Sequence, residues 1–337
     1  MAAETRQSLA PWIPLMSQSQ VEPMQYGWRP VSRPRRPVLF VNPRSGGGAA
    51  ARAGVAQQAR DRGIEAVTLE PGQNLAALVD EAVAGDADAL GMAGGDGSLA
   101  VVAAVAEARG LPFICIPAGT RNHFALDLGV DRHDLVGALD AFSEAVERRI
   151  DVGDVNGRLF LNNVSFGVYG EAVQESAYRD AKVHTLLETA QRVLGPSGET
   201  PALRLVDDAG REHAQLAVML VSNNPYALDR PVIGSRPSLN SGLLGIVILD
   251  VPDARQHPPG RAWNAPYLEV VAPAPLHAGI DGEAVTLSPP VRFASRPAAL
   301  AVRISARHPG ASPSARFPPP TPEQTGMHPF PPHDASQ

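Results

Sequence analysis

Three times between residues 38 and 125 a short apolar run ends in a glycine-bearing turn and opens into a stretch of helical composition. The runs are Val38-Leu39-Phe40-Val41, Ala89-Leu90-Gly91-Met92-Ala93 and Phe113-Ile114-Cys115-Ile116. A further strand is predicted at Ile64-Glu65-Ala66-Val67-Thr68, with helices over residues 49–60, 75–83 and 99–108. This β-α repetition calls for a parallel sheet covered by helices on both faces. In such a sheet the three turns share the carboxyl edge of the strands, where open α/β folds bind ligands.

Near residue 150 the grammar changes. Short apolar runs at residues 159–164, 202–206, 215–221, 243–249, 268–271 and 284–287 are separated by turn residues, and only residues 171–194 look helical. The second part therefore reads as a mainly antiparallel β domain. A cleft between two such domains is a natural place for a ligand. The expected organisation is a disordered leader (1–37), an α/β domain (38–149), a β-rich domain (150–305) and a disordered tail (306–337). The leader is polar and proline-bearing, and the tail holds nine prolines in 32 residues. Arg29, Arg33, Arg35 and Arg36 also make the leader's end a candidate arm for anionic lipid headgroups.

Composition narrows the function. A formal net charge of -6 argues against a general nucleic-acid binder. The single cysteine, Cys115, rules out an intramolecular disulfide and reads as a small buried hydrophobe rather than a nucleophile. The nine histidines show no metal-ligand spacing. No apolar stretch reaches the roughly 20 residues of a membrane span, and no signal-like segment opens the chain, so a cytoplasmic protein is expected.

The turn Gly94-Gly95-Asp96-Gly97-Ser98 carries the chemistry. Its glycines free the backbone N–H groups, and the helix that follows adds positive dipole character, so an anion is favoured there. The spacing is neither a Walker A loop nor the dinucleotide fingerprint. Asp96 is the only acid in the turns and a candidate to organise a metal ion through water; it reads equally as a helix N-cap or turn aspartate. Asp281-Gly282 is an ordinary two-residue hairpin signal, and it can also present acids to a cleft.

Asn42-Pro43-Arg44-Ser45-Gly46, Gly94 to Ser98, Gly119-Thr120-Arg121-Asn122-His123-Phe124-Ala125, Asn162-Asn163-Val164-Ser165-Phe166-Gly167 and Asp281-Gly282-Glu283 follow in an order and spacing that resembles the diacylglycerol kinase catalytic family, bacterial lipid kinase type, over residues 38–305. That family is related to sphingosine kinases and, more distantly, to NAD kinases. The resemblance implies that residues 38–149 form an NAD-kinase-like, nucleotide-binding α/β domain, followed by a mainly antiparallel β-sandwich whose last stretch returns to the first domain, with ATP in the cleft. It implies a nucleotide site lined by Asn42, Pro43, Arg44, Ser45, Gly46, Thr68, Gly94, Gly95, Asp96, Gly97, Ser98, Leu99, Ala100, Gly119 and Thr120. Glu283 would accept the proton, with Asp281 and Asp96 at the reacting centre. ATP and Mg²⁺ are the implied cofactors, and the reaction is phosphoryl transfer to diacylglycerol or a related lipid in phospholipid biosynthesis. Implied partners are a lipid substrate at the membrane surface through transient peripheral contact, and no nucleic acid; a homodimer stays open. The chain departs from the pattern at Ser98 for threonine, His123 for aspartate and Ser241 for an aspartate of a structural Mg²⁺ site, which is expected to be weakened or absent. NAD kinase and a catalytically silent nucleotide- or lipid-binding protein remain the rival readings.

Overall fold

A computed structural model describes residues 22–167, 203–206, 210, 212–228, 235–250 and 260–316. Its first sheet is built on strands β2 (Pro37–Val41), β3 (Glu65–Thr68), β4 (Ala89–Gly94) and β5 (Phe113–Pro117), all parallel. Every residue of β2, β4 and β5 is buried, as an unalternating apolar run must be when helices cover both faces. Helices α2 (Ala49–Arg52), α3 (Val55–Asp61), α4 (Leu75–Ala84), α5 (Asp96–Arg109) and α6 (His123–Leu128) supply that cover. The helix predicted over residues 49–60 is two helices, because Gly54 at φ +60° breaks it. A four-residue helix, α1 (Glu22–Gln25), and strand β1 (Arg29–Pro30) precede these elements.

The sheet does not stop at β5. Strand β16 (Val291–Ser305), from the far end of the chain, lies parallel to β5 and antiparallel to β6 (Ala145–Val155), which pairs with β1. The first sheet therefore runs β1-β6-β16-β5-β4-β2-β3, with β7 (Arg158–Phe160) on β6 and β13 (Tyr267–Val270) on β16. A boundary at residue 150 thus cuts β6 in its middle; the strand runs on because its pairing with β16 extends from Ala145 to Val155.

The second sheet is antiparallel throughout. It joins β12 (Gly260–Ala265), β11 (Leu244–Asp250), β10 (Glu212–Asn223), β8 (Asn163–Gly167), β14 (Leu276–Ile280) and β15 (Glu283–Leu287), with β9 (Leu203–Val206) on β10. Its apolar face, including Phe166, Met219, Ile246 and Ile280, shares one core with Phe160, Leu268, Val270 and Phe293 from the extended end of the first sheet. The run predicted at 159–164 is split: β7 ends at Phe160, Leu161 and Asn162 bend, and β8 begins in the other sheet. The helix predicted over 171–194 lies outside the described residues.

Parts of both expected tails belong to the fold. Trp28 is buried, donates from Nε1 to the Gly310 carbonyl at 2.6 Å, and lies 5.0 Å beneath the Arg148 guanidinium. Residues 307–316 wrap past α6, with His308, Ser312 and Ser314 buried and a short helix at Pro313–Arg316. Aromatic burial and side-chain hydrogen bonds, rather than an apolar periodicity, hold these two segments. No helix among the described residues is long and apolar enough to cross a membrane.

Replacing Trp28 by alanine removes a buried indole, its hydrogen bond and a cation–π contact at once. The expected loss is about 3–5 kcal/mol of unfolding free energy, read from urea denaturation; a loss below the range of ordinary surface substitutions would show that the N-terminal segment is not part of the fold.

Candidate active site

The three glycine turns converge. Asn42 donates its amide to the Ala93 carbonyl at 2.9 Å, which seats the first turn beside the second. Gly119 packs against the second turn so closely that a Cβ there would stand 2.5 Å from the Gly95 Cα. A Cβ on Gly46 would meet the Gly119 carbonyl oxygen at 3.0 Å, and Gly46 itself has φ +56°. Only glycine allows this spacing. Asn122 folds the third turn by accepting from the Gly119 amide at 2.8 Å and donating to the Pro117 and Gly119 carbonyls.

Asp96 begins α5 but does not cap it. Its carboxylate instead accepts the amides of His123 and Phe124 at 3.4 and 3.3 Å, at the start of α6. The N-cap reading is thus corrected: Asp96 serves the next helix, and Gly95 occupies the cap of its own. Those long bonds leave lone pairs on both carboxylate oxygens. His123 sits above, and its burial lowers its pKa against the upward pull of Asp96 and Asp127, so the ring is neutral near pH 7.

The hairpin of β14 and β15 brings the second sheet to these turns. Ile280 pairs with Glu283 around Asp281 and Gly282, both at positive φ (+49° and +87°), as a two-residue hairpin requires. The Glu283 carboxyl group lies over Gly97, where an added Cβ would come within 2.8 Å of its Cδ. Its Oε2 accepts from Arg158 Nη2 at 3.2 Å. Asp281, two residues away, does not point with it. The Asp281 carboxylate is buried and accepts the amides of Leu161, Asn162 and Asn163 at 2.8, 2.7 and 3.1 Å. Burial pushes its pKa up to about 7, the amides oppose this, and the nearby Asp96 charge adds to the rise. Asp281 therefore shapes the bend between β7 and β8 instead of standing free beside Glu283.

The remaining residues expected at the nucleotide site are distributed unevenly. Arg44 and Thr120 are exposed, and Pro43, Ser45, Ser98 and Ala100 are half-buried along the turns. Leu99 is wholly buried in the first core, so only its backbone faces the turn. Thr68 is exposed at the end of β3, paired with Val41 beside the first turn. Ser241 donates its hydroxyl to Asn224 Oδ1 at 2.6 Å.

Sequence reading missed the ion pair that underlies the site. Arg236 is fully buried; its Nε donates to Asp127 of α6 at 2.8 Å, and its backbone amide donates to the other oxygen of that carboxylate, also at 2.8 Å. Its remaining nitrogens donate to the carbonyls of Leu161 and Asn223, both at 2.6 Å, and to Asn162 Oδ1 at 3.0 Å. Ser312 closes the set by donating to the Arg236 carbonyl. A lone arginine between Ser235 and Pro237 gives no local signal, because its partners lie 13 to 109 residues away. Arg158 was missed for the same reason.

A family model for the diacylglycerol kinase catalytic domain matches residues 36–155. A Pseudomonas aeruginosa protein named "Probable lipid kinase YegS-like" is 31% identical over 307 residues, spanning 84% of this chain and 97% of that protein. A diacylglycerol kinase of Bacillus subtilis is 30% identical over 176 residues, 50% of this chain and 57% of its own. A crystal structure from Bacillus anthracis has the same fold with a TM-score of 0.61 at 18% identity, covering 81% of this chain and 98% of that one. A second from the same organism, described as a diacylglycerol kinase, gives 0.55 at 16%.

Two outcomes are expected from this arrangement. Arg236→Met leaves Asp127 buried without its counter-charge and should cost about 3–5 kcal/mol; adding Asp127→Asn should recover part of it, as urea melts of the single and double variants will show. Asp281, with a folded pKa of about 7 against an ordinary carboxyl near 4, holds its proton between those values only in the native state. Its contribution is present at low pH and is lost as pH rises through about 7. The stability of the wild type relative to Asp281→Asn should fall over that window and level off above it; a flat difference contradicts the raised pKa.

Proposed function

This chain belongs to the diacylglycerol kinase catalytic family, and on that premise we propose that it transfers the γ-phosphate of ATP to a hydroxyl of a lipid, diacylglycerol or a close relative. The observation that carries the reading is the Glu283 carboxyl group lying over Gly97, at the N-terminus of α5 where the three turns meet. Phosphates are favoured by the open amides and dipole of that helix start. A carboxylate held against the same spot can take the proton of an attacking hydroxyl.

The roles follow from position. The turns at residues 42–48, 94–98 and 117–122 bind the triphosphate through backbone amides and exclude side chains by their glycines. Glu283 orients the acceptor hydroxyl and takes its proton as the new P–O bond forms. The bond from the γ-phosphorus to its bridging oxygen breaks, and ADP leaves with that electron pair. Asp96 is the acid that a Mg²⁺ ion travelling with ATP would meet, since both its oxygens keep free lone pairs. Among the described residues no cluster of three acids, histidines or cysteines could hold a metal alone, so such an ion would keep phosphate and water ligands. When bound, it would offset the charge of the phosphate oxygens. Asp281 and Asp127 act at one remove, by fixing the bend and the helix that flank the site. Access to a lipid acceptor is through peripheral contact with a bilayer.

Incubation with γ-labelled ATP and Mg²⁺, with extracted lipids in one arm and NAD in the other, tests the reading. Label is expected in lipid; label only in NADP would sink it, and nucleotide binding without transfer would favour a silent binding protein. Glu283→Gln and Asp96→Asn are each expected to lower kcat by about 10²–10⁴ with the thermal melt retained, and near-normal turnover removes that residue from the mechanism.

A further inference from the structure

Arg158 opens β7 directly after the turn at Asn156 and Gly157, and reaches across to the hairpin of the second sheet. Its guanidinium stands 3.2 Å from Glu283 Oε2, while the other oxygen of that carboxyl group lies against Gly97 at the start of α5. One carboxyl group therefore separates this cation from the helix N-terminus. Both side chains are about half exposed, 45% for Arg158 and 51% for Glu283.

We propose that Arg158 is a phosphate-binding catalytic residue, which exchanges Glu283 for the terminal phosphate of a nucleoside triphosphate when that phosphate enters the site. This deepens the nucleotide reading given above and rests on it. The energetics favour the exchange. An ion pair this exposed contributes little, because water screens it and two long side chains must be held still. A guanidinium meets a phosphate through two parallel charge-assisted hydrogen bonds, which is the stronger and better-ordered contact. The exchange has a second effect on the same step. With Arg158 on the phosphate, the Glu283 carboxylate loses its cation and is free to accept the proton of the attacking hydroxyl. Without a triphosphate, Arg158 engages one oxygen of Glu283, so both oxygens become available only when there is a phosphate to transfer. Sequence motifs could not show this: Arg158 lies 125 residues from Glu283 and outside the three glycine turns of the site.

The discriminating property is selectivity for the third phosphate. Calorimetric titration of the full chain with MgATP and with MgADP is carried out for wild type, Arg158→Gln, Glu283→Gln and the double variant. Arg158→Gln is expected to weaken ATP binding by roughly tenfold and to leave ADP binding unchanged; the ADP result also reports that the variant is folded. The same loss should persist when Arg158→Gln is added to Glu283→Gln. If it disappears in that background, the loss came from an unmasked carboxylate repelling the nucleotide, and the proposal is overturned. Equal loss of ATP and ADP, or no loss, with wild-type binding intact, overturns the role of Arg158 alone. Failure of the wild type to bind either nucleotide overturns the nucleotide reading of the site and this proposal with it. Arg158→Lys should recover only part of the ATP preference, since an ammonium keeps the charge but not the planar fork.

Discussion

A guanidinium with no solvent contact holds the site together. Taking a charge out of water costs several kcal/mol, and that cost is recovered only where every donor finds a partner. Arg236 meets the requirement by drawing its acceptors from three separate places, α6, the bend between β7 and β8 and the end of β10, while Ser312 after β16 donates to its backbone carbonyl. None of these can move without orphaning a buried donor. The bend at Leu161 and Asn162 is held on both sides, the Leu161 carbonyl and the Asn162 side chain by Arg236 and the two amides by Asp281. Since Asp281 is the hairpin residue two before Glu283, the position of the carboxyl group over Gly97 follows from this clamp.

The site is accordingly made of two kinds of part. The glycine turns are an anion cradle fixed by strand ends, and their geometry is local. The carboxyl group comes from the second sheet and the guanidinium of Arg158 from β7 on the first, and their placement is entirely a matter of tertiary structure. Phosphoryl transfer suits such a division, since it asks the protein for positioning and charge stabilisation more than for covalent chemistry. Membership of the diacylglycerol kinase catalytic family agrees with this arrangement, and the Bacillus anthracis structure shares the fold over 81% of the chain.

Much of the fold was legible in the sequence because its signals were local. Apolar runs ending in glycine turns gave β2, β4 and β5 to within a residue, and Asp281-Gly282 marked a hairpin that the pairing of Ile280 with Glu283 realises. The parts that escaped depend on distant partners. Trp28 gives no hint that Gly310 will receive its indole proton, and a proline-bearing leader looks disordered until Arg148 lies over that ring. Asp96 offered a cap for its own helix as one of its readings, yet its oxygens meet amides 27 and 28 residues away. Asp281 carried the right motif but the wrong orientation, because a residue type in a hairpin does not reveal which amides its carboxylate will find.

The position of β16 sets an order of events during synthesis. This strand is inserted between β5 and β6, so the first sheet is left open in its middle until residues 291–305 have been made. Up to that point β5 and β6 each present an unpaired edge, the kind of surface that invites wrong partners. Ser312, which completes the shell around Arg236, emerges later still. A ribosome that stalls after the last residue of the Asp281-Gly282-Glu283 hairpin would thus carry every side chain proposed to act in transfer and no finished site. Translation to the C-terminal segment is the step that converts this chain from a set of motifs into an enzyme.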